Sequence, residues 1–334
     1  MKKFLSILTA AVLTLSLAAC GGQAKNSEEA GGNQEVIKVR ISNFAGSVVP
    51  YDVGIETGII DEVLKEYTDA KVEIELINFT SGAAAVEAGQ AGEVDIITCG
   101  DQMVTTAIVE NGLPFKIVGC SYLQRKTAFL ATAASGIQSP ADLKGKRLGV
   151  QLGTNYYIAA IAFLEDNGIS IDDVEVVNLS AADALTAFMA GDIDWGVFGG
   201  TGRDKLLETE GTVLVGYNGD YKFNECVFSV SNKFAEEHHD LVVGLVKAFD
   251  EATKYALEHQ DEALQIAADK YDADKVSQKI FWDDSDFTVP LTSDIQESIQ
   301  RTLHYTYVIG LISRDANVSE VIDLTYSEEA GLLK

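Results

Sequence analysis

Short β-rich apolar runs alternate with amphipathic helical patterns from Val36 onward. The first series consists of the runs VIKVRIS, KVEIELINF, VDIITC and FKIVGC, with helices predicted over 51–67, from Ser81 and from Asp101. The second series consists of TAFLATA, RLGVQL, VEVVNL, DWGVFG and TVLVGY, with helices predicted over 154–167, from Ala181 and from Arg203. This alternation is typical of βαβ units around a largely parallel sheet, so the pattern predicts two α/β units. After CVFSVS the chain is mostly helical, with amphipathic patterns over 240–258 and 293–311 that would pack on a sheet.

The two units share a short sequence signature. Residues 91–95 (AGEVD), followed by Gly100, match residues 190–194 (AGDID), followed by Gly199, in residue class. In each copy a helix ends at glycine, an acidic turn follows, and a strand begins at an aliphatic residue and an aspartate. The match indicates two architecturally repeated halves. The alternative is that this helix, glycine, turn and strand order recurs by chance in α/β proteins.

The loops that follow these strands carry glycine together with a hydroxyl or an amide. They are residues 43–47 (NFAGS), 80–82 (TSG), 100–102 (GDQ), 153–156 (GTNY), 180–183 (SAAD) and 199–202 (GGTG). The carboxyl ends of parallel strands meet at one edge of a sheet, where helix N-termini present unpaired N–H groups and about half a positive charge each. Converging loops of this kind suit a small polar or anionic ligand. The alternative is that Ser47, Ser81, Thr154 and Ser180 only cap their helices.

The N-terminal segment has the features of an export signal followed by a tether. Lys2 and Lys3 precede an uncharged apolar stretch over 4–17, which is too short to span a bilayer comfortably but suits signal peptidase. Cys20 directly after Leu-Ala-Ala resembles the lipobox of bacterial lipoproteins. We therefore predict a signal peptide over 1–19, a lipid on Cys20, a flexible tether over 20–35, and a protein anchored to the cell membrane on its extracytoplasmic side. A secretory peptide cut before an incidental Cys20 is the alternative.

Composition and charge exclude several classes of protein. The 334 residues are 47% hydrophobic and 23% charged, which is ordinary for a globular chain of about two domains. The 25 Lys and Arg against 51 Asp and Glu give a formal net charge of −26. Because that field would repel phosphate backbones, nucleic acid is not expected as a partner.

Several stretches resemble one family of extracytoplasmic proteins. Residues 140–150 (PADLKGKRLGV), followed by Gly153 and Thr154, resemble the second-lobe entry of the substrate-binding proteins of ABC importers. Residues 53–60 (VGIETGII), 112–119 (GLPFKIVG) and 183–188 (DALTAF) are similar to the branch that binds sulfonates, taurine, nitrate and thiamine-related pyrimidines. The resemblance covers about residues 36–311.

The resemblance implies an α/β fold with the two-lobed architecture of type II periplasmic binding proteins, each lobe a mostly parallel sheet flanked by helices. It places lobe 1 at 36–121 and 226–334, lobe 2 at 126–218, and two hinge crossings at 122–125 and 219–225. It implies a monomeric receptor for a small anionic or zwitterionic organic solute of the sulfonate, taurine or nitrate type, which a membrane permease receives, with no cofactor and no metal. A thiamine-precursor pyrimidine or a cationic amine is the alternative solute.

The loops and the resemblance together predict the ligand contacts. They are Phe44, Ser47, Ser81, Gly82, Asp101, Gln102, Gly153, Thr154, Asn155, Tyr156, Gly200, Thr201 and Glu225. Phe44 and Tyr156 would form aromatic walls, while Asp101 and Glu225 could hold an ammonium; the alternatives are core packing for Phe44, a helix-dipole partner for Asp101 and a solvated hinge charge for Glu225. The chain departs from several relatives at 199–202, where they place aromatic and acidic side chains. Arg203, which follows, is either a ligand charge or a surface arginine.

An enzyme is the competing class, because thiamine-pyrimidine synthesis proteins share this fold and act through His and Cys residues. The four histidines, at 238, 239, 259 and 304, all lie in the helical C-terminal part, away from the predicted cleft loops. No His-x-x-x-His, Cys-x-x-Cys or Gly-x-Ser-x-Gly motif occurs, so we predict no catalytic residue. For Cys99, Cys120 and Cys226 we expect free thiols in preference to a disulfide.

Overall fold

A computed structural model describes residues 35–44, 49–220, 224–272 and 274–334, which form two β-sheets flanked by helices. The strands in these ranges are β1 (Val36–Asn43), β2 (Lys71–Asn78), β3 (Ile96–Gly100), β4 (Phe115–Gln124), β5 (Ala128–Ala131), β6 (Arg147–Val150), β7 (Glu175–Asn178), β8 (Trp195–Phe198), β9 (Val213–Tyr217), β10 (Asn224–Ser231) and β11 (Ser285–Asp286). The helices are α1 (Pro50–Glu56), α2 (Ile59–Leu64), α3 (Gly82–Gln90), α4 (Asp101–Asn111), α5 (Asn155–Asp166), α6 (Ala181–Ala190), α7 (Gly200–Leu207), α8 (Asn232–Glu237), α9 (His239–Glu258), α10 (Gln260–Tyr271), α11 (Lys275–Asp284), α12 (Ser293–Val308) and α13 (Thr325–Glu329). The predicted signal peptide, lipidated Cys20, Ser47 and all of the tether except Glu35 lie outside the described residues.

The two sheets have matching strand orders. Within the described residues, the first lobe contains the sheet β11-β4-β10-β3-β1-β2 and the second lobe the sheet β7-β6-β8-β5-β9. In the first sheet β10 is antiparallel to both β3 and β4, and in the second β5 is antiparallel to both β8 and β9. The strands on either side of these insertions share one direction, because β1 is parallel to β2 and β3 and β6 is parallel to β7 and β8. The two-lobed α/β architecture is confirmed; four strands in each sheet share one direction, and the antiparallel strands make both sheets mixed. The matching orders support the repeated halves.

The shared acidic turn joins β1 to the start of β3 in the first lobe and β6 to the start of β8 in the second. Arg40 on β1 donates from Nε and Nη2 to the carboxylate of Asp95, and from Nη1 to the carbonyl of Gly92. Arg147 on β6 makes the equivalent pair of hydrogen bonds with Asp194. This guanidinium holds the pKa of the Asp194 carboxyl below its usual range. We call this ion pair, Arg40–Asp95 in the first lobe and Arg147–Asp194 in the second, the arginine–aspartate clamp. The repeated sequence signature supplies its aspartate.

The chain passes between the lobes twice, between Gln124 and Ala128 and between Tyr217 and Asn224. The predicted crossings at 122–125 and 219–225 overlap the first-lobe sheet, because β4 and β10 remain paired as far as Gln124 and Asn224. The sequence of one strand alone does not show how far its pairing with the neighbouring strand continues beyond the apolar run.

Two predicted helices differ from those observed. The helix predicted over 51–67 is interrupted at Gly58, whose positive φ of 76° ends α1 and begins α2. The helix predicted from Arg203 begins three residues earlier, at Gly200, so residues 200–202 belong to α7. The preceding Gly199 is its N-cap residue and lies against Tyr156, whose hydroxyl would be 2.5 Å from an added Cβ. A side chain at position 199 would therefore clash with Tyr156, which explains the glycine there, whereas local propensity assigns this glycine-rich stretch to a loop.

None of the helices within the described ranges is both long and apolar enough to cross a membrane.

Candidate functional site: a cavity between the two lobes

A cavity of about 360 Å³ lies where the carboxyl ends of the two sheets face each other. The first lobe contributes Asn43, Phe44, Tyr51, Gly82, Cys99, Gly100, Gln102, Met103, Ser121, Tyr122, Asn224, Glu225 and Cys226 to its lining, among others. The second lobe contributes Val150, Gln151, Thr154, Asn155, Tyr156, Leu179, Ala181, Ala184 and Val197. Ligand sites in open α/β sheets form at this edge, and the volume is in the range of small-molecule pockets.

The helices α3, α4, α5 and α6 begin at this cavity. Its lining includes the first residues of α3 and α6, Gly82 and Ala181, and the N-cap residues of α4 and α5, Gly100 and Thr154. Each helix start has N–H groups without an intrahelical partner and a partial positive charge. Two helices from each lobe therefore direct their positive ends at the same space.

The serine and threonine at three of these helix starts are capping residues. Ser81, Thr154 and Ser180 accept hydrogen bonds from the backbone N–H groups of Ala84, Tyr157 and Asp183, respectively. These side chains therefore cap their helices, and Thr154 lines the cavity as well. The fourth helix, α4, follows Gly100, which provides no side-chain cap. Its first N–H groups can be satisfied by a ligand instead.

The structure brings about half of the predicted contacts to the cavity. Those that line it are Phe44, Gly82, Gln102, Thr154, Asn155, Tyr156 and Glu225. Ser81, Asp101, Gly153, Gly200 and Thr201 are not part of the lining. Gly200 and Thr201 lie in the first turn of α7, and Gly153, with a positive φ, precedes the Thr154 cap.

Other lining residues were missed by sequence reasoning. Ser121 and Tyr122 lie at the end of β4 and Cys226 at the start of β10, in runs that the sequence marks only as hinge or strand. Tyr51 lies in the first turn of α1. The position of these residues in the sheet could have indicated them, because β4 ends at the same sheet edge as the predicted cleft loops.

Most polar groups of the lining already have protein partners. The Tyr51 hydroxyl donates to Asn43 Oδ1 at 3.0 Å, and the Asn155 amide donates to Asp101 Oδ1 and Asn224 Oδ1. Burial raises the pKa of the three tyrosines of the lining, so they are neutral.

Gln102 Oε1 and Ser121 Oγ are buried polar atoms of the lining for which the described residues provide no hydrogen-bond partner. The Gln102 amide is held from its other end, because Nε2 donates to Thr106 Oγ1 at 3.1 Å. A half-turn of the amide would keep this bond, since a hydroxyl can donate as well as accept, and would present Nε2 to the cavity. Gln102 can therefore meet an acceptor or a donor, and Ser121 can do the same. A buried polar atom without a partner is costly, so these two atoms indicate where a ligand binds.

Asp101, a predicted ligand residue, and Arg203, for which a ligand charge was one of two alternatives, connect the lobes. The amide Nδ2 of Asn155, from the second lobe, donates to Asp101 Oδ1 at 2.9 Å and to Asn224 Oδ1 at 2.7 Å. Asp101 is fully buried behind the lining, where it also accepts from the Thr302 hydroxyl. Its function is therefore at the contact between lobes.

Arg203 on α7 forms the corresponding contact on another side of the cavity. Its Nη1 donates to Asp284 Oδ2 on α11 at 2.6 Å and to the carbonyl of Lys126 at 2.9 Å. Arg203 is buried and absent from the lining, so it is neither a ligand charge nor a surface arginine. Ion pairing of Arg301 with Asp166 joins α12 to α5 at 2.7 Å. The lobes are closed over the cavity in this structure.

The cysteines near the cavity are thiols. Cys99, Cys120 and Cys226 are free and buried, as expected, and Cys99 and Cys226 are part of the lining. Burial raises the pKa of all three, to about 12 for Cys226, so none is an activated nucleophile. None of the four histidines contributes to the lining. Within the described residues no cluster of three or more His, Cys, Asp or Glu could hold a metal ion.

Comparison with known proteins places this geometry in a family. The family model described as NMT1/THI5 like matches residues 66–263, more than half of the chain. The chain belongs to the NMT1/THI5-like family. The matched region contains all of the second lobe and both crossings, and with them the second-lobe wall of the cavity.

The sequences and solved structures that resemble this chain include binding proteins and an enzyme. A Bacillus subtilis (strain 168) protein named as an aliphatic sulfonates-binding protein is 26% identical over 99% of this chain and 97% of its own length. The structure of the periplasmic aliphatic sulphonate binding protein SsuA from Escherichia coli has a TM-score of 0.72 at 20% identity, covering 86% of this chain and 92% of that one. A desulfurization enzyme, DSZB, bound to biphenyl-2-sulfinic acid as a C27S mutant, has a TM-score of 0.63 at 16% identity, covering 88% and 98%. The fold is therefore shared by both classes, and the site has to distinguish them.

Proposed function

We propose that this protein is the solute-binding component of an ABC importer, which captures a small organic solute between its lobes and passes it unchanged to a membrane permease. The observation that carries this proposal is the cavity itself, which both lobes line and which interlobe hydrogen bonds close. Contacts from both lobes favour the closed state, by no more than the differential affinity of the solute for closed over open protein. The B. subtilis relative, aligned over almost the whole chain, supports the same function.

The solute that the cavity fits best has an anionic head. The positive ends of α3, α4, α5 and α6 act at contact distance, whereas the negative charge of the surface is screened beyond about 8 Å at physiological salt. Ser121 and, after an amide rotation, Gln102 add two neutral donors. A sulfonate of the kind named for the relatives is therefore the leading head group.

Glu225 determines whether the cavity favours a solute that also carries a cationic nitrogen. Its side chain is buried and lines the cavity, and a carboxylate there favours an ammonium over a second anion. Calorimetry of refolded, ligand-free protein against methanesulfonate, taurine, nitrate, an aminopyrimidine and a quaternary amine tests the proposal. We expect a sulfonate to bind. If taurine is preferred, Glu225→Gln should weaken taurine alone, and tight binding of the quaternary amine alone would contradict an anionic head.

Whether the bound solute is chemically changed is tested separately from its affinity. We expect the bound solute to be recovered unchanged after long incubation, because the thiols in the lining are protonated and no histidine is present there. A Cys99→Ser, Cys226→Ser variant is the control. Turnover by the native protein that this variant loses would identify an enzyme like the structural neighbour DSZB.

We further propose that the receptor acts as a monomer and is held at the membrane by a lipid on Cys20. One thiol would carry the whole attachment, so Cys20→Ser should leave the fold and solute affinity intact and release the protein from membranes. Fractionation with a high-salt wash measures this. Retention of Cys20→Ser in the washed membranes would contradict lipid anchoring.

A further inference from the structure

We propose that the solute has an aromatic body, an aryl group of one or two fused rings, with its single anionic head at the helix starts. This inference rests on the proposed function and specifies its substrate class. It follows from what the lining offers once the groups already used by the protein are removed.

Three tyrosines of the lining offer ring surface to a solute. The Tyr51 hydroxyl is already used within the protein, where it donates to Asn43 Oδ1, and Tyr122 and Tyr156 line the cavity from the first and the second lobe. A hydroxyl in such a bond contributes little to a polar solute, whereas the ring can still contact an apolar one. These side chains therefore form aromatic walls from both lobes.

Aliphatic side chains and thiols cover much of the remaining lining. Val150, Leu179 and Val197 contribute from the second lobe, and Met103, Cys99 and Cys226 from the first. A thioether and protonated thiols favour contact with aromatic rings over hydration. Gln102 Oε1 and Ser121 Oγ, together with the α4 start, can meet one anionic head group, while the Glu225 carboxylate, which also lines the cavity, is the group that would favour an additional cationic nitrogen.

The volume exceeds what a short-chain sulfonate needs. At about 30 Å³ for each water-sized unit, 360 Å³ has room for about a dozen non-hydrogen atoms. Taurine, with about seven such atoms, would leave almost half of the space unfilled, and unfilled apolar space forfeits contact energy. An aryl sulfonate fills it.

The experiment compares solutes that differ in one property, using the mature chain freed of bound ligand. Calorimetry is run with methanesulfonate, taurine, benzenesulfonate, 2-naphthalenesulfonate and benzenesulfonamide. We expect at least one arylsulfonate to bind tenfold or more tighter than both small sulfonates, and tenfold or more tighter than the uncharged sulfonamide. Equal or tighter binding of methanesulfonate or taurine would overturn the aromatic body while leaving the proposed function standing. Binding of none of the five would reject both.

A matched pair of variants tests whether the rings enter this cavity. Ala181 lines it from the first turn of α6, and its neighbour Ala182 is exposed and absent from the lining. Ala181→Trp should fill part of the space and weaken arylsulfonate binding at least tenfold, with less effect on methanesulfonate. Ala182→Trp should leave both affinities unchanged, and melting temperatures report whether each variant folds. Arylsulfonate affinity that Ala181→Trp leaves unchanged in a folded protein would overturn the inference.

Discussion

Removing the ion pair between Arg203 and Asp284 should weaken solute binding although neither residue touches the cavity. The pair joins α7 of the second lobe to α11 of the first at 2.6 Å, and both side chains are buried in the closed structure. When the lobes separate, the Asp284 carboxylate would return to water, whereas Arg203 would keep its ion pair with Asp204 on the same helix. Arg203→Gln therefore acts mainly on the closed state.

The size of the effect follows from one charge-assisted hydrogen bond. Such a bond contributes about 1.5–3 kcal/mol, which corresponds to roughly a 10- to 150-fold change in the open–closed equilibrium. Burial raises the pKa of Asp284 in spite of its arginine partner, so desolvation offsets part of the gain and the lower end applies. If ligand-free protein is mostly open, the dissociation constant should rise about tenfold.

Calorimetry with whichever solute binds best measures the change, and small-angle scattering of the ligand-free protein measures opening. Arg301→Gln is the exposed interlobe control: its pair with Asp166 leaves the side chains 28% and 37% exposed, so about 1 kcal/mol or less is expected. Arg147→Gln, which removes a clamp inside one lobe, should lower the melting temperature without changing affinity. An Arg203→Gln protein that folds and binds within twofold of the native affinity would refute the reasoning.

Three further predictions concern closure, pH and the thiols. Gly100→Ala should weaken binding several-fold at an unchanged ligand-free melting temperature, since its Cβ would lie 3.0 Å from Asn155 Nδ2 only when the lobes are closed; calorimetry and melting curves check this, and an unchanged affinity would contradict it. Because the pKa of Asp194 is lowered by Arg147, its stabilisation is present at neutral pH and is lost as the pH falls below the ordinary value of 3.8. The melting-temperature gap between native protein and Asp194→Asn should therefore shrink on acidification, and a constant gap would argue against the clamp. With a pKa of about 12, the buried Cys226 should be alkylated far more slowly at pH 8 in folded than in unfolded Cys20→Ser protein, as read by mass, and equal rates would contradict its burial.

The sequence alone determined the architecture of this protein and the starts of α3, α4, α5 and α6, because both depend on local patterns. Alternating strand and helix periodicities identify βαβ units whatever they pack against, and the match between residues 91–95 and 190–194 indicated the repeat. Ser81, Thr154 and Ser180 cap α3, α5 and α6 because a hydroxyl reaches an N–H group only three residues away. From these helix starts the position of the cleft followed by the rule for parallel sheets.

Only the tertiary structure decided which polar side chains face the solute and which hold the lobes together. Asp101 lies in a predicted cleft loop and Arg203 directly follows one. Their partners, Thr302 and Asp284, are 201 and 81 residues away in the sequence. Ser121 and Tyr122 line the cavity on β4, next to β10, a strand that comes after the whole second lobe in the sequence. Whether a polar group binds a ligand or another residue depends on which partner arrives, and partners so distant in sequence are brought together by packing.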